Sequence, residues 1–107
     1  MFTKQALKDS ATSVSFARGL QYYKNKVVHD INVYRPRPYV YTIESVVDGS
    51  VPYNVYLQVD VKDNSVIDAS CTCPYHYGGL CKHIIATGLA FIDYISEAYR
   101  IKAERSS

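Results

Sequence analysis

The stretch SCTCPYHYGGLCKHIIA, residues 70–86, contains all three cysteines of this 107-residue chain and two of its three histidines. The ligand-type residues form two pairs, Cys71-x-Cys73 and Cys81-x-His83, with seven residues between them. Zn²⁺ in structural sites takes four cysteine or histidine ligands at tetrahedral corners. Three thiolates and one imidazole supply that set, so the stretch predicts a zinc site that joins the segments on either side of it.

The spacing of each pair predicts where it lies in the fold. Two residues separated by one position point to the same side of a strand but diverge on a helix. We therefore place Cys71 and Cys73 at a strand end, and Cys81 and His83 at the junction between a loop and a helix. Gly78 and Gly79 allow the sharp turn between the pairs. Three thiolates with Zn²⁺ leave a charge near −1, which Lys82 is placed to balance.

Other interpretations of the cluster are weaker. Three cysteines leave one thiol without a partner, so a disulfide framework fits poorly. Iron–sulfur clusters favour four cysteines, or two cysteines with two histidines. His76 lies in the loop and competes with His83 as the fourth ligand, although His83 completes the paired spacing. His29 sits in a strand pattern and is interpreted as an ordinary strand residue.

The rest of the chain predicts an α+β domain. A helix is expected over 13–24, with Phe16, Leu20 and Tyr23 on one face, and a less definite helix before it. Alternating β-branched and aromatic residues predict an antiparallel meander of about four strands, over 27–34, 39–47, 55–62 and 66–71. A long helix over 81–103 follows, with an apolar stripe of Ile85, Leu89, Ile92 and Tyr99.

Composition places the chain among ordinary globular proteins. Hydrophobic residues make up 48% and charged residues 21%, which excludes a mainly disordered chain. The length suits one domain, 1–107, with a zinc-finger core at 66–92. No stretch has the roughly 20 apolar residues of a membrane-spanning helix, and MFTKQALKDS lacks the apolar core of a signal peptide. We expect an intracellular protein, cytoplasmic or, in a eukaryote, nuclear.

The stretch SCTCPYHYGGLCKHIIA has the pattern C-x-C-x(n)-C-x-H and resembles the SWIM zinc finger. A second stretch, FARGLQYYKNKVV at residues 16–28, resembles the segment that precedes SWIM motifs in bacterial Swi/Snf-type helicases. The resemblance implies Cys71, Cys73, Cys81 and His83 as zinc ligands. It also implies a partner that is DNA or another protein, including the motor domain of such a helicase. Relatives often carry glycine where this chain has Lys26, so we expect Asn25 to supply the left-handed turn residue.

Binding is predicted in preference to catalysis. The chain lacks the GxxxxGK[ST] loop of ATP-driven motors and the HExxH signature of zinc hydrolases, and four protein ligands leave zinc no open position for water. The net charge of +2 permits contact with nucleic acid without demanding it. A cationic, tyrosine-flanked segment provides the candidate contacts, namely Lys24, Lys26, Arg35, Arg37, Tyr22 and Tyr34. The alternatives are a solvated strand edge and a tyrosine-rich protein-binding face of an adaptor.

Overall fold

The computed structural model of the chain describes residues 1–75 and 78–106, with side chains up to residue 102. Its helices are α1 (Lys4–Asp9), α2 (Ser13–Lys24) and α3 (Lys82–Ser106), and its strands are β1 (Val28–Arg37), β2 (Val40–Asp48), β3 (Pro52–Asp60) and β4 (Ser65–Cys71). The α+β class, the helix over 13–24, the shorter helix before it and the long C-terminal helix are confirmed. None of the helices in the described part of the chain is long and apolar enough to cross a membrane.

The four strands form one antiparallel meander in the order β1-β2-β3-β4. The alternation in β3 is confirmed, because Val55, Leu57 and Val59 are buried while Tyr56 and Gln58 are only half-buried. Asn64 takes the left-handed conformation expected in the turn before β4, with φ of 53°. The Arg-Pro-Arg-Pro segment lies at the end of β1, which is an edge strand, as the two prolines require.

The helices cover one face of the sheet. The core joins Ile43, Leu57 and Val59 of the sheet to Ile85 and Phe91 of α3, and all five side chains are fully buried. Burial of a side chain of this kind contributes about 1.5–3 kcal/mol. The stripe predicted for α3 is confirmed over its first half but wrong at Tyr99, whose side chain is 51% exposed. Tyr99 lines an open groove with Arg35 of β1 and Tyr41 of β2, so the sheet covers its ring only in part.

The end of α2 corrects a second expectation. Asn25 adopts right-handed geometry, with φ of −77°, and Lys26 takes the left-handed conformation itself, with φ of 59°. The Lys26 amide donates to the Tyr23 carbonyl at 3.1 Å and so closes the last turn of the helix. The left-handed residue is therefore Lys26 and not Asn25, at a steric cost of about 1–2 kcal/mol that glycine would avoid.

Helix α2 crosses α3 closely at Gly19, which is buried. A Cβ at this position would lie 2.4 Å from the Cβ of Ile85 and 2.9 Å from the carbonyl oxygen of Lys82. Glycine lowers helix propensity, but here its lack of a side chain lets α2 approach the first turn of α3. That turn also carries part of the cysteine and histidine cluster.

Candidate metal centre

The two predicted ligand pairs come from the two sides of the fold. Cys71 is the last residue of β4 and pairs in register with Val55 of β3, and Cys73 follows it in the loop. Cys81 immediately precedes α3, and its carbonyl accepts the first helical hydrogen bond from the Ile85 amide at 3.0 Å. His83 lies in the first turn of the helix. The predicted placement at a strand end and a loop-to-helix junction is confirmed.

The four side chains meet at one point. The ligand atoms of Cys71, Cys73, Cys81 and His83 all lie within 4.8 Å of one another. The Nδ1 atom of His83 is 3.7 Å from the sulfur of Cys71 and 3.8 Å from that of Cys81. Ordinary zinc–sulfur and zinc–nitrogen bonds at a tetrahedral angle place sulfur and nitrogen about 3.6 Å apart. The cluster therefore has the size and donor set of a zinc site, with Nδ1 as the histidine donor.

The cluster is largely shielded from solvent. Cys81 and His83 are buried, and Cys71 and Cys73 are half-buried. The hydrogen bond to Cys81 and burial raise the pKa of the Cys71 thiol. The same hydrogen bond to Cys71, with further ones from His83 and the Ile84 amide, lowers the pKa of Cys81. Cys81 is thus the thiolate that the protein itself favours, because the Cys71 thiol donates to it and the Ile84 amide at the helix start adds a further hydrogen bond.

The loop between the pairs is held by contacts that reach the N-terminal helices. Gly78 and Gly79 both have positive φ, 87° and 71°, which confirms the sharp turn. The Leu80 amide donates to the Ser10 carbonyl at 2.9 Å, and the Tyr75 hydroxyl donates to the Gly78 carbonyl at 3.0 Å. His76, the alternative ligand, lies outside the described residues.

Two tyrosines enclose the imidazole of His83. The Tyr53 ring lies 4.5 Å from it at a tilt of 34°, and the Tyr22 ring packs edge-on at 5.3 Å. The Nε2 atom of His83 is buried and has no hydrogen-bond partner among residues 1–75 and 78–106. Gly49 covers it closely, since a Cβ there would lie 3.3 Å from Nε2. With Nδ1 toward the sulfurs, Nε2 carries the ring proton in a metal-bound neutral histidine.

The residues predicted to contact nucleic acid do not form one patch. Lys24 and Lys26 follow α2, and Arg35 and Arg37 lie near the far end of β1. All four are exposed. At about 3.3 Å per strand residue, the two pairs are roughly 25 Å apart.

The two predicted tyrosines also lie apart. Tyr34 is 51% exposed on the edge strand β1. Tyr22 lies beside the cluster instead, with the Lys82 ammonium 5.1 Å from its ring centre. Lys82 lines the same cleft as Cys73 and Cys81, and its role in balancing their charge stays a prediction.

Three contributors to the site were not predicted: Tyr53, Gly49 and the carbonyl of Ser10. Each reaches the cluster through the turn between β2 and β3 or the turn between α1 and α2, far away in the sequence. The sequence Asp48-Gly49-Ser50 is typical of a turn, but it does not indicate which residues that turn packs against. His29, predicted to be an ordinary strand residue, is exposed and bonds Asp48 at 3.0 Å and Asp30 at 3.2 Å.

Comparison with known families and proteins agrees with this geometry. The family model of the SWIM zinc finger matches residues 53–87, from the start of β3 through the first turns of α3. The match contains all four cluster residues and does not reach the FARGLQYYKNKVV stretch at 16–28. No curated protein and no solved structure matches the chain. The chain therefore contains a segment similar to the SWIM zinc finger, with a Cys₃His cluster that can hold zinc.

Proposed function

We propose that the chain is a non-catalytic zinc-binding domain in which Cys71, Cys73, Cys81 and His83 hold one Zn²⁺. The observation that carries the proposal is the convergence of these four ligand atoms within 4.8 Å. Four protein ligands close the tetrahedral site, so no position is left for a reactive water. The bound ion would link β4 to α3 and so add stability to a domain whose hydrophobic core is small.

Elemental mass spectrometry of protein purified without added zinc tests this. We expect about one zinc per chain in the wild type and a loss in Cys81→Ala. His83→Gln is the second variant, because it keeps a polar side chain of similar size and leaves the three thiols intact. Lys82→Ala is the matched control, since it alters the same turn without removing a ligand and should keep its zinc. Wild-type protein with intact fold and no metal would contradict the proposal.

The ligand pairs also predict how the domain responds to chelation. Metal-binding free energy is folding free energy where the ligands come from separate elements. Removal of zinc should therefore loosen residues 70–95, which hydrogen exchange would detect as faster exchange there than in β1 and β2. Equal protection with and without metal would contradict a structural role.

The partner that we propose is DNA, contacted by Lys24, Lys26, Arg35 and Arg37 with Tyr22 and Tyr34. Support comes from the exposure of all four cations and of Tyr34. The separation of roughly 25 Å between the two pairs corresponds to about seven phosphate spacings of 3.4 Å along one strand. Four phosphate contacts predict a fall in duplex affinity of about 150-fold between 50 and 200 mM salt.

Fluorescence anisotropy with labelled DNA at several salt concentrations measures this slope. The double variant Arg35→Ala, Arg37→Ala should weaken binding and lower the salt slope by about two. A double change of the same charge on α1, Lys4→Ala with Lys8→Ala, is the control and should leave the slope unchanged. Binding that does not respond to salt or to the arginine variants would contradict contact through these cations.

A protein-interaction adaptor is the second candidate, and the exposed aromatic face of α3 favours it. Tyr94 and Tyr99 are each 51% exposed, and Ile101 is 39% exposed. Tyrosine is enriched in the buried parts of interfaces. A protein complex through this face should resist salt and weaken in Tyr94→Ala and Tyr99→Ala. Association with the motor of a Swi/Snf-type helicase stays a prediction of the sequence resemblance, and a pull-down with such a motor domain tests it.

A further inference from the structure

A cleft that was not predicted from the sequence lies directly beside the cysteine and histidine cluster. Its volume is about 390 Å³, in the range of small-molecule pockets. Helix α2 contributes Arg18 and Tyr22, β3 contributes Tyr53, and α3 contributes Lys82 and His83. We call this space the cluster-side cleft. Of these lining residues, only Tyr22 was among the predicted nucleic-acid contacts.

The charged residues that line the cluster-side cleft are cations. Arg18 and Lys82 contribute two positive charges, and no aspartate or glutamate lines the cleft in the described part of the chain. Within residues 1–75 and 78–106, neither side chain forms a hydrogen bond or an ion pair, although Lys82 lies over the Tyr22 ring. Lys82 balances the net charge near −1 of a zinc bound by three thiolates. Arg18 is left as a cation without a counter-charge, which favours an anionic ligand.

A second, independent observation also indicates a missing ligand. His83 lines the cleft and is only 3% exposed, yet its Nε2 atom has no partner in the described part of the chain. An unpaired buried donor of this kind is unfavourable, because it has lost its hydrogen bonds to water and gained none from the protein. Gly49 lies over Nε2, where a Cβ would meet Nε2 at 3.3 Å and the Tyr53 ring at 2.9 Å, so a ligand reaches this atom only when the turn at 48–50 moves. An acceptor oxygen from a ligand would satisfy this donor.

The aromatic residues that line the cleft indicate which class of anion it binds. Tyr22 and Tyr53 present rings to the cleft, and the Tyr53 hydroxyl bonds Ser50 at 2.9 Å. Tyrosine rings with arginine are the groups that bind bases and phosphates of single strands. A cleft of this volume admits one nucleotide of a flexible strand and excludes a duplex.

We propose that the cluster-side cleft binds one nucleotide of single-stranded DNA, with its phosphate on Arg18 and its base against the tyrosine rings. This rests on the proposed contact with DNA and adds a site separate from Arg35 and Arg37. Zinc binding would couple to the new site, because the cluster fixes the positions of Lys82 and His83.

The test uses the full zinc-loaded chain and thymidine 5′-monophosphate as the probe, followed by NMR. We expect shifts in the signals of Tyr22, Tyr53 and Gly49. Arg18→Ala should weaken binding about tenfold or more, as expected for a lost hydrogen bond to a charged group. Lys4→Ala is the control, since it removes an exposed cation on α1, away from both proposed DNA contacts, and should bind like the wild type. Arg18→Lys keeps the charge and should recover part of the affinity, and zinc content verifies the fold of each variant.

The cleft proposal requires both that the nucleotide binds and that Arg18→Ala weakens this binding. Absence of shifts up to millimolar nucleotide, or equal binding by Arg18→Ala, would overturn the cleft proposal. Inorganic phosphate or a phosphoserine peptide binding as tightly as the nucleotide would overturn the assignment to a nucleotide. Anisotropy with a labelled oligothymidine separates the two proposals. A loss with Arg35→Ala, Arg37→Ala but not with Arg18→Ala would retain DNA binding and reject the cleft, whereas no oligonucleotide binding at all would reject the proposed partner.

Discussion

Replacement of Gly19 by alanine should destabilise the domain, although the same change stabilises most helices. In an exposed helix interior, glycine to alanine gains about 0.8–1.0 kcal/mol. At Gly19 the new methyl group would lie 2.4 Å from Ile85 Cβ and Cγ2, and 2.9 Å from the Lys82 carbonyl oxygen. Carbon atoms in contact are normally about 3.5–4.0 Å apart, so α2 and α3 must separate by more than about 1 Å.

The expected magnitude follows from these two opposing terms. Overpacking of this kind costs about 1–3 kcal/mol, and the upper part of the range applies because one neighbour is a backbone oxygen that cannot rotate away. After subtraction of the helix-propensity gain, the net loss is about 1–2 kcal/mol in the free energy of unfolding. In a domain of this size the melting temperature should fall by about 5–10 °C. Thermal unfolding at a fixed excess of zinc measures it, because bound metal itself shifts the midpoint.

The same variant should weaken zinc binding, because Lys82, His83 and Ile85 share the turn that must move. We expect a loss of about tenfold or more, in the range of other changes that disturb ligand orientation, measured by competition with a chelating dye. Ala17→Gly is the control: Ala17 is exposed on the same helix, so this change should cost about 0.8–1.0 kcal/mol and leave zinc affinity unchanged. A Gly19→Ala protein with a higher melting temperature and unaltered zinc affinity would refute the close approach of the helices.

Three further outcomes are expected. Lys26→Gly should raise the free energy of unfolding by about 0.5–1 kcal/mol in chemical denaturation, since glycine relieves the left-handed backbone at a smaller entropic cost; a lower stability would contradict the backbone assignment. The hydrogen bond to Asp48 is the main reason why the pKa of His29 is raised above 6.5, so its stabilisation is present below pH 6.5 and is lost as pH rises through the raised pKa. NMR titration should show the pKa falling toward 6.5 in Asp48→Asn, and an unchanged pKa would contradict this cause. Thr87→Val should cost about 1–3 kcal/mol in thermal unfolding, because it leaves the buried Ser45 hydroxyl, which lies 2.8 Å from Thr87 Oγ1, without its partner. Adding Ser45→Ala should recover part of that loss, and no recovery would contradict the pairing of the two hydroxyls.

Periodicity and turn chemistry were sufficient to predict most of the fold. The clean alternation in VYLQVDVK and the helical spacing in α3 are local signals, and local signals determine element type. Tyr99 shows where such signals fail. It continues the stripe of Ile85 and Leu89 by spacing, but whether a stripe is buried depends on how closely the helix packs on the sheet at each turn. That closeness is a tertiary property that periodicity does not encode.

The residues of the candidate site also differ in whether local sequence signals predict them. The ligand pairs were visible because metal chemistry constrains residue type and spacing together. Arg18 and Tyr53 were invisible, because arginine and tyrosine serve many roles and their spacing to the cluster is set only by the fold. Local helix propensity alone makes Gly19 a weak point in α2. The crossing of α2 over Ile85 gives the same residue the opposite effect on stability.

The position of the cluster explains why a zinc site suits this fold. Between β4 and α3 the chain makes a loop whose start is still held by the sheet, because Thr72 exchanges two hydrogen bonds with Asn54 of β3. The other described hydrogen bonds of the loop run to Ser10, Ser15 and Gly78. The cluster ties the last strand to the first turn of α3, and Gly19 packs α2 against that same turn. Metal, loop and helix crossing thus converge on residues 81–85. A disturbance of the metal should therefore reach the cluster-side cleft, while the outer strands β1 and β2 keep their structure.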